Sequence, residues 1–95
     1  MEDSELQHLM GAYYHEDFET LWSGLELYLQ DDPPEDQRRL LAEISVVLAD
    51  TSRTDAEIGA FLHGLGCYAL IDDEPGGYRG WLEEIARRVR AHLGD

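Results

Sequence analysis

Apolar residues recur along the chain at the three- and four-residue steps of a helix, in five separate stretches. Leu6, Leu9, Met10 and Tyr13 make the first stripe, preceded by Ser4-Glu5-Leu6-Gln7 as a capping box. This predicts a helix ending near Tyr14 or His15, with Gly11 inside it as a place for close packing. Leu21, Trp22, Leu25, Tyr28 and Leu29 make a second, wide face, with Thr20 or Asp17 as its cap. Gln30-Asp31-Asp32-Pro33-Pro34 stops that helix, because each proline disfavours helical geometry in the residue before it. Pro34 can open a third helix, since a first-turn N–H has no helical partner to lose. Glu35 and Asp36 then suit the positive end of the helix dipole. Leu40, Leu41, Ile44, Val47 and Leu48 form its buried stripe, with Arg38, Arg39 and Glu43 outward and a stop near Asp50.

Thr54-Asp55-Ala56-Glu57 is a second capping box and opens a fourth helix with Ile58, Phe61, Leu62 and Leu65 inward. Gly66 follows as a left-handed cap. Cys67 to Ile71 reads as buried extended chain, and Asp72-Asp73-Glu74-Pro75-Gly76-Gly77 as a turn. Trp81, Leu82, Ile85, Val89 and Leu93 line a last helix from Tyr78 to His92, whose Arg87, Arg88, Arg90 and His92 suit its negative end. The expectation is an all-α fold, a single small domain built as an irregular bundle of about five helices. A chain of 95 residues is long enough for one such core and too short for two.

Charge changes the picture more than composition does. There are 21 acidic residues against seven basic ones, all arginine, and the net charge is −14. Residues 1–37 hold eleven acids and no arginine; residues 38–95 hold ten acids and seven arginines. Such a field repels nucleic acid and anionic membranes and attracts cationic proteins or metal ions. A lone Cys67 forms no internal disulfide, no basic-apolar leader opens the chain, and no stretch reaches the roughly 20 apolar residues of a membrane span. Those features predict a cytoplasmic protein with no membrane partner.

The residues do not assemble into a known catalytic pattern. His8, His15, His63 and His92 lack the short fixed spacing of a zinc site, and Asp72-Asp73-Glu74 lacks the alternation of a calcium loop. Cys67 sits in an apolar run that disfavours its thiolate. Carboxylate pairs such as Glu16/Glu19 and Glu83/Glu84 read as solvated surface. The expectation is therefore no catalytic residue, no metal and no cofactor. What stands out is rigid aromatics among carboxylates, which suit recognition of a basic protein. Tyr14, Glu16, Asp17, Glu19, Glu26, Asp31, Asp32, Asp72, Asp73 and Glu74 are the candidate partner-binding residues, with Trp22 and Tyr28 as further exposed-looking aromatics.

Four segments carry a family resemblance: Leu9-Met10-Gly11-Ala12-Tyr13-Tyr14-His15-Glu16-Asp17-Phe18, Asp32-Pro33-Pro34-Glu35, Leu65-Gly66-Cys67-Tyr68 and Tyr78-Arg79-Gly80-Trp81-Leu82. In that order and spacing they resemble the small immunity proteins of bacterial contact-dependent growth inhibition systems. The resemblance implies a non-enzymatic cytoplasmic protein that binds and neutralises the C-terminal toxin domain of a surface-delivered effector. The resemblance also implies that such a toxin is often a nuclease, and the charge of this chain adds the expectation that the toxin surface is basic. Two alternatives stand beside it: a small metal-dependent hydrolase or metal-binding regulator using His8, His15, Asp17 and His63, and an acidic adaptor for some other basic protein. Oligomeric state is not legible.

Overall fold

The computed structural model describes residues 5–14, 22–66 and 76–94. Those residues form five helices: α1 (Glu5–Tyr13), α2 (Ser23–Asp31), α3 (Pro34–Ala49), α4 (Asp55–Gly64) and α5 (Gly77–Leu93). No strand occurs among them. The extents of 31 × 30 × 29 Å exclude an elongated parallel bundle and fit an irregular one. Helix α3 is the hub and packs on α5 and α1; α2 lies against α1, and α4 against α5.

The predicted stripes supply the core. Leu6, Leu9, Met10, Leu40, Ile44, Ile58, Leu62, Leu82, Ile85 and Val89 are fully buried, with Trp81 close to it. Pro34 stands at the first position of α3 as its ring geometry favours. Thr54 Oγ1 accepts from Glu57 N while Glu57 returns a carboxylate to Thr54 N, so the α4 capping box is complete. Gly66, at φ 105°, donates to His63 O and closes α4 in the left-handed region, where a side chain would be strained.

Other helix ends are satisfied by partners distant in sequence. Glu43, expected to face outward, accepts from Glu5 N and Leu6 N at 2.8 and 3.3 Å and so caps α1. Asp55 accepts from Tyr78 N at 3.1 Å and Arg79 N at 2.9 Å and caps α5. The Arg79 guanidinium donates to Leu48 O and Asp50 O at the C-terminal end of α3. Each pairing satisfies backbone groups that a helix end leaves open. The proposed Ser4, Thr20 and Asp17 caps, and the extended run from Cys67 to Ile71, lie outside the described residues.

Three expectations change. Tyr14 and Tyr28, read as exposed aromatics, are fully buried, and Trp22 is half-buried under Arg88, whose guanidinium lies 3.9 Å from the ring centre. Phe61, read as core, is 37% exposed. The close-approach glycine is Gly24 rather than Gly11: a Cβ on Gly24 would lie 2.6 Å from the Tyr13 carbonyl, whereas one on Gly11 would make ordinary contact with Leu65 O at 3.5 Å.

Candidate functional site

The α2–α3 turn brings the acidic residues around Pro33-Pro34 against the start of α1. Carboxylate oxygens of Glu5, Asp32 and Asp36 lie within 4.8 Å of one another. Like charges at that separation need partners, and these have them. The Tyr28 hydroxyl donates to Glu5 at 3.1 Å, and the Tyr13 hydroxyl to Asp32 at 3.2 Å. His8 Nε2 lies 3.2 Å from Asp32. Arg39 reaches both Glu5, at 3.0 Å, and Asp36, at 2.6 Å. Below them, Gln37 Nε2 donates to Leu29 O and Asp32 O and locks the turn.

Burial dominates the titration of this corner. It raises the Glu5 carboxyl above its usual range, against the opposing pull of Tyr28 and Arg39. It also raises both phenols: Tyr13 is pushed up to about 12, with Asp32 adding to the effect, and Tyr28 is raised with Glu5 adding. Tyrosines held neutral in this way are hydrogen-bond donors that orient carboxylates. They are not bases at neutral pH.

Around this network the outward carboxylates form the surface. Glu26 and Asp31 are exposed as expected, and Glu35 joins them; Asp32 is half-buried and committed to Tyr13 and His8. Tyr14, read as a surface aromatic, belongs to the core, with its side chain fully buried. Glu16, Asp17, Glu19, Asp72, Asp73 and Glu74 lie outside the described residues. Sequence reasoning missed Glu5 and Asp36 as members of the corner and treated Glu35 only as a dipole partner. The spacing Asp32/Asp36 across a tight proline joint was the available signal; nothing local indicates Glu5, which arrives through α1–α3 packing.

Of the residues of the metal alternative, His8 and His63 are described, and neither joins a group of potential metal ligands among the described residues. His8 is paired with Asp32, while His63 of α4 shares a 3.1 Å hydrogen bond with the Tyr78 hydroxyl of α5. Among the described residues, the group able to surround an ion is the Glu5/Asp32/Asp36 trio, which contains neither histidine. His15 and Asp17 are outside the described residues. No helix among the described residues is long and apolar enough to cross a membrane.

The family model for CdiI immunity protein matches residues 3–89. No curated protein matches the chain, and no solved structure does. The matched span takes in all four segments that carry the resemblance and the whole acidic corner, from Glu5 to Asp36. The chain belongs to the CdiI immunity protein family and is an immunity protein that neutralises a cognate toxin protein of a contact-dependent growth inhibition system.

Proposed function

We propose that this immunity protein acts without catalysis, in the cytoplasm, by covering a basic, nuclease-like surface on the C-terminal toxin domain of its effector. The observation that carries the reading is the charge of residues 1–37, eleven acids and no arginine, of which Glu5, Asp32 and Asp36 meet at the α1–α2–α3 corner. A nuclease must attract phosphates, so a surface built for that task is cationic. Exposed Glu26, Asp31 and Glu35 present anionic oxygens that substitute for phosphates. Asp32 contributes to the field while bonded to Tyr13. Glu16, Asp17, Glu19, Asp72, Asp73 and Glu74 are proposed as further contacts on charge alone.

Steering by this field sets the kinetics. Association with the toxin is fast at low salt and slows steeply as ions screen the approach. Stopped-flow measurement at about 50 and about 500 mM salt tests it, with a Debye length falling from roughly 14 to 4 Å. A rate independent of salt removes charge from the account. Protection of cells co-expressing the toxin domain, and its loss when this gene is deleted, tests neutralisation itself.

A further inference from the structure

The face of α3 that begins in carboxylates ends in an apolar groove. Leu6 of α1, Val46 and Val47 of α3 and Phe61 of α4 line it, with Glu43, Asp50 and Arg53 at its edge, around a volume of about 330 Å³. Val46 is 73% exposed, and Phe61 is 37% exposed beneath Arg53, whose guanidinium lies 5.1 Å from the ring centre. One exposed valine is ordinary; an open valine beside a groove with an aromatic wall is the kind of patch that marks an interaction site. Asp36, Arg39, Glu43, Val46 and Asp50 follow at steps of three and four and so share one side of α3. Asp36 and Val46 are about 15 Å apart along the axis. A protein interface of ordinary size, about 800 Å² per partner, spans both ends.

We propose that this groove is the anchor point for the toxin: it seats a large apolar side chain of the toxin, next to a basic residue that meets the groove's edge. The inference rests on the toxin reading above and adds where the toxin's apolar contact falls. Charge complementarity selects the occupant. The edge carries two carboxylates against one guanidinium, on a chain of net charge −14. A second copy brings the same −14 and is repelled, whereas a cationic toxin surface is drawn in. The edge is also preformed. Glu43 is held by the first amides of α1, and Asp50 by Ser52 and Arg53, so little ordering is needed on binding.

The two ends of the stripe then differ in kinetic role, and that difference is the test. The probe is the C-terminal domain of the effector whose toxicity co-expression of this chain relieves, bound to the full chain and followed by stopped flow and surface plasmon resonance. Val46→Asp and, as a second variant, Phe61→Ala are expected to raise Kd at least tenfold through faster dissociation, leaving the salt dependence of association unchanged. Asp31→Arg is expected to act on the association rate instead. Far-UV circular dichroism and urea midpoints check that each variant is folded; both side chains are solvent-exposed, so retained folding is expected. If the wild-type chain binds and both groove variants bind within twofold of it, the groove proposal is overturned and the toxin reading stands. If the wild-type chain does not bind this domain, the toxin reading fails and takes the proposal with it. A concentration-dependent dimer that Val46→Asp abolishes, with toxin affinity unchanged, assigns the groove to a second copy and overturns the proposal.

Discussion

The buried hydroxyl of Tyr14 accepts a hydrogen bond from the backbone N–H of Leu25 at 3.2 Å. Leu25 lies in the first turn of α2, where N–H groups have no helical acceptor, and the side chain of Trp22 at the N-cap does not cap the helix. Tyr14 therefore caps α2 from the end of α1, while its ring stands edge-on to Trp81 with centroids 5.2 Å apart. Tyr14→Phe strands the Leu25 amide and is expected to cost about 1–2 kcal/mol. Tyr14→Ala also leaves a cavity and is expected to cost about 3–5 kcal/mol. Urea denaturation measures both. Unchanged toxin affinity of folded Tyr14→Phe supports a purely structural role for the residue.

Two glycines are expected to respond to alanine with opposite sign. A Cβ on Gly24 meets the Tyr13 carbonyl oxygen at 2.6 Å, and backbone there cannot yield cheaply. Gly24→Ala is expected to lose about 1–3 kcal/mol by overpacking, despite better helix propensity. A Cβ on Gly64 meets nothing within 4 Å, so Gly64→Ala is expected to gain about 0.5 kcal/mol. Thermal unfolding of the pair decides; a common sign contradicts the packing geometry.

The Asp55 carboxylate holds the first turn of α5 from the start of α4. Asp55→Ala removes acceptors for two amides and is expected to cost about 1–2 kcal/mol, with Asp55→Asn intermediate because it keeps one acceptor oxygen. Hydrogen exchange at Tyr78 and Arg79 is expected to accelerate in Asp55→Ala before exchange elsewhere.

The chain is expected to lose stability at both ends of the pH scale. Tyr13 has its folded pKa raised to about 12, so its contribution is whole below pH 10 and disappears as pH rises from 10 to 12, when only the unfolded phenol ionises. Glu84 is drawn down to about 2 by hydrogen bonds to Arg87 and then Arg88, so its contribution is present above the ordinary carboxylate range and fades as pH falls toward 2. Tyr13→Phe is expected to flatten the alkaline limb and Glu84→Gln the acid one. High salt weakens the Glu84 effect, because that carboxylate is exposed to solvent. Melting temperature against pH for three proteins provides the comparison.

Charge reversal on the acidic surface separates steering from folding. Glu26 and Asp31 are exposed, so Glu26→Arg and Asp31→Arg are expected to change stability by no more than about 0.5 kcal/mol. Together they are expected to slow association with the toxin roughly tenfold at low salt. An unchanged rate removes these two carboxylates from the encounter surface.

The sequence by itself determined the helices and their inward faces. Helical periodicity is a local property of neighbouring residues, and capping residues such as Thr54, Pro34 and Gly66 act within a few positions of themselves. It also determined the charge and its concentration in residues 1–37, which need no fold to be counted. Which end of a wide apolar face turns inward was not local. Tyr14 and Phe61 exchanged places between surface and core because each position depends on what another helix brings to it: Leu25 and Trp81 to Tyr14, and an open groove beside Val46 to Phe61. Tertiary structure alone made Glu43 and Asp55 caps for distant helices and joined Glu5 to Asp32 and Asp36. Those pairings span 23 to 38 positions in the chain, and only the packing of α1 on α3 and of α4 on α5 brings them within reach.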